Sequence, residues 1–207
     1  MSIEIKKSIK PVNYEKAINF LEARVEKLIN NRKTKELIWF LEHPHIFTGG
    51  SSYKNEEILD NSIKIIKTSR GGKITWHGPG QLICYFVIDL NKRNKNIRKL
   101  LDIIENSIIK SLEVFDVNLI SDRNNIGIWH KEGKNIRKVG AIGIKVKKWI
   151  AYHGFSINID NELKQYEKII PCGIKDKKIT TLSKIKDQNY KNISSVLEKK
   201  LISFLKI

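Results

Sequence analysis

The sequence predicts an α/β protein built on a mixed sheet, and three observations carry that expectation. Segments with helical apolar spacing alternate with short runs of strand composition, the pattern of layered α/β folds. The segment Lys138 to Ile159 reads as two long strands folded into a hairpin, which places an antiparallel pair in the sheet. The 207 residues are 41% hydrophobic and 29% charged, enough for a core and unlike a disordered chain. No composition shift or Gly/Ser/Pro-rich stretch divides them, so residues 1–207 are expected to form one domain.

In chain order, Tyr14, Ala17, Ile18, Leu21, Val25 and Leu28 recur on one helical face, so a helix over 14–29 is predicted, capped by Asn13. Leu37 to Leu41 has strand length and composition, and Glu42-His43-Pro44 opens a loop running through Gly49-Gly50 to about Lys54. Ile63 to Thr68 reads as a strand leading into Arg70-Gly71-Gly72, and Leu82 to Leu90 as a buried strand after a glycine-rich segment. A second helix spans Ile97 to Phe115, with Ile97, Leu100, Leu101, Ile104, Ile108 and Leu112 on one face. Ile126 to Trp129 is a short strand, and the hairpin after it turns near Lys147-Lys148. In its second arm Trp149, Ala151, His153, Phe155, Ile157 and Ile159 share one face at a period of two. Thr180 or Thr181 caps a short helix; Ser194 caps the last, whose inner face is Val196, Leu197, Leu201 and Leu205.

The composition also excludes classes of function. No apolar run approaches the roughly 20 residues needed to span a bilayer, and Met1 to Lys6 lacks the apolar stretch of a secretory signal. Cys84 and Cys172 are the only cysteines, too few for a disulfide framework, so a reducing, cytoplasmic setting is expected. The net charge of +17 comes from lysines scattered along the chain, without the basic helix or dense block of a nucleic-acid binder. Steering of an acidic protein partner and a solvated, compositionally biased surface both fit it. His43, His45, His77, His130 and His153 make no zinc-type spacing with each other or with the two cysteines, so no metal is expected.

Four segments carry chemistry. In Arg70-Gly71-Gly72-Lys73-Ile74-Thr75-Trp76-His77-Gly78-Pro79-Gly80-Gln81, the glycines let backbone approach a ligand, while Arg70, Thr75, His77 and Gln81 offer polar contacts. It is neither a phosphate-binding Gly-Lys-Ser/Thr loop nor a dinucleotide GxGxxG. In Arg137-Lys138-Val139-Gly140-Ala141-Ile142-Gly143, small residues leave room beside a strand, with Lys138 at its start. In Tyr152-His153-Gly154-Phe155-Ser156 a glycine again opens space, although His153 also suits a satisfied core histidine. In Ile170-Pro171-Cys172-Gly173-Ile174 a cysteine sits on a constrained turn, where Gly173 could lend its N–H to an oxyanion. A thiolate there suits acyl transfer through a thioester. Cys84, inside a strand, reads as a core hydrophobe.

Together these segments resemble the lipoyl(octanoyl) transferase family of the biotin/lipoate protein ligase superfamily, in the family's order and over about two-thirds of the chain. The most specific match is Arg-Gly-Gly-x-x-Thr-x-His-Gly-Pro-Gly-Gln, supported by Arg-Lys-Val-Gly-Ala-Ile-Gly and Pro-Cys-Gly-Ile. The resemblance implies a larger mixed sheet and a smaller one flanked by helices. It implies Cys172 as acyl-thioester nucleophile with Lys138 as its general acid/base, where spacing alone pairs Cys172 with His77 or His153. It also implies that Arg70, Gly71, Gly72, Lys73, Ile74, Thr75, Trp76 and His77, with Ala141, Ile142, Gly143, Gly154, Phe155 and Ser156, line the acyl substrate.

The implied reaction moves octanoyl from the phosphopantetheine arm of an acyl carrier protein to a lysine of a lipoyl domain. The acceptors implied are 2-oxoacid dehydrogenases or a glycine-cleavage H-type protein. It needs no ATP, metal or other cofactor, no nucleic acid and no membrane, and the resemblance leans towards a monomer. Two readings share the fold: an ATP-dependent lipoate–protein ligase and a cysteine-dependent octanoyl amidotransferase.

Overall fold

The computed structural model describes residues 2–170 and 178–206. Its elements, in order, are β1 (Ile3–Lys7), α1 (Tyr14–Asn30), β2 (Glu36–Leu41), β3 (Ile46–Gly49), β4 (Ile65–Lys67), β5 (Ile74–His77), β6 (Gln81–Asp89) and α2 (Ile97–Leu112). They continue with β7 (Ile120–Ser121), β8 (Ile128–Glu132), β9 (Asn135–Lys147), β10 (Ile150–Asn158), β11 (Lys178–Ile179), α3 (Leu182–Ile185) and α4 (Ile193–Leu205). The larger sheet has eight strands in the order β1-β2-β6-β10-β9-β8-β7, with β11 against β9; the smaller runs β4-β3-β5. Both sheets are mixed: β1–β2, β9–β11 and β3–β4 pair parallel and the others antiparallel.

Two apolar layers hold the larger sheet. On one face Ala17, Leu21, Val25 and Leu28 of α1 meet Leu37, Trp39, Ile83, Tyr85 and Tyr152. On the other, Leu100, Ile104, Ile108 and Leu112 of α2 and Leu197, Leu201 and Leu205 of α4 pack on Ile38, Phe40, Phe86, Phe155 and Ile157. Cys84 belongs to this second layer and is fully buried, as its strand context requires. The Asn13 side chain accepts from the Lys16 amide at the start of α1, and Thr181 caps α3 through Lys184.

Several expectations are corrected. The stretch 42–54 contains β3, and the glycine-rich segment contains β5; each forms only four residues of the smaller sheet, short enough for flanking glycines to hide. The strand expected over Ile63 to Thr68 is confined to β4. α2 stops at Leu112 in a 3₁₀ turn, and Ile97 is exposed because it is the first residue of the helix. Ile126 precedes β8 and is exposed. Asn192, not Ser194, occupies the cap position of α4, whose buried face begins at Ile193. Trp149 lies in the hairpin turn at φ 64° and leaves the apolar row expected of it.

Candidate active site

The floor of the site is the β9–β10 hairpin. Ser156 lies opposite Ala141 and Gly154 opposite Gly143, so these side chains share one face. All four are small, and the missing volume is a groove. On the other side of β10, Gly154 pairs with Tyr85 and Ser156 with Ile83. A Cβ on Gly154 would stand 1.9 Å from the Cys84 carbonyl oxygen, so no other residue lets β10 approach β6 this closely. His153, just before it, takes φ 69°, a left-handed conformation rare for a non-glycine residue.

The roof comes from the smaller sheet and the loop before it. The Gly71 amide donates to the Ile144 carbonyl at 3.0 Å, pinning this loop to β9. Arg70 spans the roof, donating to the Thr48 carbonyl and hydroxyl, both at 2.9 Å, and to the Gly71 carbonyl at 3.1 Å. The cavity so enclosed is lined by Arg70, Gly72, Lys73, Ile74, Thr75, His77, Ala141, Ile142, Gly143, Gly154, Phe155 and Ser156, and also by Ile83, Tyr85 and His153. Of the residues singled out in the sequence, Gly71 instead anchors the loop. Trp76 is buried in the smaller sheet's own cluster, its ring 5.6 Å from that of Tyr166.

Lys138 lies beside one end of this groove. A second, smaller cavity is lined by Lys138, Gly140, Asn158, Tyr166 and Ile179 and shares Thr75, Ala141 and Ser156 with the first. Lys138 is 7% exposed, and a buried ammonium needs partners. Its Nζ donates to the Ile126 carbonyl at 3.1 Å and stands 5.0 Å from the centre of the Trp129 ring. Gly127 makes room for this side chain: a Cβ there would lie 2.6 Å from Lys138 Cε and 3.0 Å from Nζ. Where β10 leaves β9 beyond Gly140, β11 takes its place, pairing Ile179 with Lys138, and the Thr180 amide donates to the Lys138 carbonyl at 2.9 Å. Pro171, Cys172 and Gly173 lie outside the described residues.

A buried histidine–tyrosine cluster forms the wall towards α1, and sequence spacing gave no sign of it. His43 Nδ1 lies 2.6 Å from the Val12 carbonyl, which can only accept, so Nδ1 carries the proton and Nε2 accepts from the Tyr85 hydroxyl at 2.8 Å. The Tyr14 hydroxyl donates to Thr68 at 3.0 Å, and the Tyr14 and His77 rings stack with centres 6.4 Å apart. Burial lowers the pKa of His43 and raises those of Tyr14 and, strongly, Tyr85. His77 is pushed down to about 3, chiefly by burial and then by His43 and Arg70, against the raising effect of the hydrogen bond its Nδ1 makes to Gln81 Oε1. His153 is likewise lowered to about 3 by burial, Arg70 and Lys145. Both are therefore neutral at pH 7. No three His, Cys, Asp or Glu side chains cluster as a metal site among the described residues, and none of their helices is long and apolar enough to cross a membrane.

A groove between two sheets, closed by a glycine-rich roof and flanked by a buried lysine, defines a class, and comparison with known proteins places the chain in it. Residues 13–202 match the lipoyl protein ligase A/B catalytic domain. The fold resembles lipoate-protein ligase A bound with ATP (TM-score 0.78, 15% identity, all of this chain and 87% of that one). It also resembles the biotin protein ligase of Aquifex aeolicus (TM-score 0.52, 17% identity, all of this chain and 69% of that one). Within that class, the chain is 43% identical over 192 residues to the octanoyltransferase of Ehrlichia chaffeensis, covering 91% of this chain and 89% of that protein. It is 37% identical over 202 residues to the octanoyltransferase of Anaplasma phagocytophilum, covering 96% and 97%. The chain belongs to the octanoyltransferase family, with a catalytic domain of the lipoyl protein ligase A/B type, and it is an acyltransferase.

Proposed function

We propose that the chain transfers octanoyl from octanoyl-acyl carrier protein to the ε-amine of a lipoyl-domain lysine, through a thioester on Cys172. In the first half-reaction the Cys172 sulfur attacks the donor thioester carbonyl and the phosphopantetheine sulfur leaves, taking a proton. In the second the lysine amine attacks the new thioester, an amide forms, and the proton lost by the amine accompanies release of the Cys172 thiol. Lys138 shuttles these protons as general acid and base. The first exchange replaces one thioester by another and the second replaces a thioester by a more stable amide, so no ATP, metal or other cofactor enters. The groove holds the acyl chain, with Thr75, Ala141 and Ser156 where it meets the Lys138 cavity.

The observation that carries the reading is this buried lysine at the end of a groove floored by small residues, in a chain whose relatives are octanoyltransferases. The acceptor class is a lipoyl domain, as of a 2-oxoacid dehydrogenase or a glycine-cleavage H-type protein. We place the reaction in the cytoplasm, in a monomer acting as one catalytic domain over residues 1–207, without nucleic acid or membrane. The test supplies a purified lipoyl domain with one of three donors: octanoyl-acyl carrier protein, octanoate plus ATP, or an octanoylated protein. Octanoyl gain by the acceptor lysine from the first donor alone is expected. Gain from the second would make the chain an ATP-dependent ligase, and gain from the third an amidotransferase.

A further inference from the structure

We propose that Gln81 and Asn158 are positioning residues that lock His77 in its Nδ1–H tautomer, so that its bare Nε2 accepts a hydrogen bond from a substrate N–H in the groove. The inference rests on the acyl-transfer reading for the substrate and on hydrogen-bond logic for the lock.

A chain of hydrogen bonds that starts at a main-chain carbonyl fixes the tautomer. The Thr180 carbonyl lies 3.2 Å from the Asn158 amide and can only accept, so the atom facing it is the Asn158 nitrogen, Nδ2. Asn158 Oδ1 therefore faces Gln81 at 2.8 Å, where the Gln81 atom must be its donor, Nε2. The same nitrogen donates to the Tyr166 hydroxyl at 2.8 Å, and that hydroxyl lies 3.3 Å from both the Trp76 carbonyl and Asn158 Oδ1. Gln81 Oε1 is then the atom 2.7 Å from His77 Nδ1, which must carry the proton. Gln81 is fully buried and Asn158 nearly so, so water does not compete for these groups.

His77 consequently presents an acceptor, since its Nε2 has no proton and no partner among the described residues, and the residue lines the groove. Its burial, with the Tyr14 and His43 rings packed close by, keeps it neutral, and the nearby His43 and Arg70 side chains add to that. The anchor also serves the lysine, because the Thr180 amide holds the Lys138 carbonyl. One chain of bonds thus ties the histidine wall of the groove to the strand that carries Lys138. The N–H that His77 accepts belongs either to an amide of the donor's phosphopantetheine arm or to the amine of the acceptor lysine.

The test begins without substrate. Long-range proton–nitrogen correlation spectra of the histidine-labelled protein, with His77 identified by loss of its signals in His77→Asn, should show Nδ1 protonated and Nε2 bare at pH 7. A protonated Nε2 in the unmutated protein would overturn the lock outright. Gln81→Met and Asn158→Leu should both release the ring to the Nε2–H form or a mixture. Single-turnover rates then read the consequence, and Gln81→Met should slow one half-reaction roughly five- to tenfold, the worth of one neutral hydrogen bond. Slower acylation of the enzyme assigns the bond to the donor's amide, and slower transfer to the lipoyl domain assigns it to the lysine amine. Unchanged rates in both half-reactions, with the tautomer released, would overturn the substrate role. Failure of the unmutated chain to acylate at all would sink the acyl-transfer reading while leaving the spectroscopic result standing.

Discussion

Gly127→Ala is the perturbation whose effect can be worked most directly from the structure. The new Cβ would stand 2.6 Å from Lys138 Cε, 2.9 Å from the Gly140 carbonyl oxygen and 3.0 Å from Lys138 Nζ. The carbonyl is part of β9 and cannot yield without breaking sheet pairing, so the lysine end must move and its bond to the Ile126 carbonyl stretches or breaks. Gly127 also holds φ 143°, a conformation alanine adopts at a cost of about 1–3 kcal/mol. Losing a charge-assisted hydrogen bond to a buried group adds about 1.5–3 kcal/mol. For a chain of this size the sum lowers the melting temperature by roughly 5–20 °C. Displacing the ammonium should slow octanoyl-enzyme formation by at least about tenfold, since 1.4 kcal/mol corresponds to a decade.

Gly133→Ala is the matched control, because Gly133 also has positive φ, 58°, but nothing lies within 4 Å of its added Cβ. It should lose about 1 kcal/mol of stability and no acylation rate. Stopped-flow acylation with octanoyl-acyl carrier protein, run well below both melting temperatures, separates the two. A Gly127→Ala enzyme that acylates like the unmutated protein would refute the placement of Lys138 as a participant.

Three further outcomes are expected. Ala141→Leu fills the groove floor opposite Ser156 and should shift preference from octanoyl towards shorter acyl donors; an unchanged chain-length profile would put the chain elsewhere. Because His43, His77 and His153 have pKa values depressed on folding, the unfolded chain binds more protons below about pH 6.5 and stability falls with acidification. Between pH 6.5 and 5 the loss reaches at most about 2 kcal/mol for each strongly depressed histidine, and melts that coincide at pH 7 and 5 would contradict it. The net charge of +17 should make transfer from an acidic carrier protein weaken as salt rises through the physiological range, as screening predicts. A salt-independent rate would mean that the charge is compositional bias.

Much of this was legible in the sequence where a period was long and uninterrupted. α1 shows its buried face as Tyr14, Ala17, Leu21, Val25 and Leu28, and the β9–β10 hairpin turns at Lys148-Trp149, one residue beyond the expected Lys147-Lys148. Motifs with small residues marked the groove, because volume removed beside a strand is visible as Gly and Ala. Short elements were not legible. β3 and β5 are four residues each, punctuated by glycine and proline, and acquire their meaning only by pairing within the smaller sheet. β1 is a five-residue edge strand in which only Ile3 and Ile5 alternate with Glu4 and Lys6, too short a period to stand out. Nor does spacing bring together Tyr14, His43, His77 and Tyr85, which converge from a helix, a loop and two strands. Gly127 carried no motif at all, since its role comes from a lysine eleven positions on across a bulged pair.

The whole mechanism turns on the covalent octanoyl-enzyme, and intact mass spectrometry reads it. The protein is mixed with octanoyl-acyl carrier protein, without ATP or acceptor, and its mass is read before the carrier is exhausted. A gain of one octanoyl group is expected that disappears in Cys172→Ser and persists in Cys84→Ser, because the Cys84 thiol is buried and burial pushes its pKa well up. No gain, or a gain that survives Cys172→Ser, would contradict it.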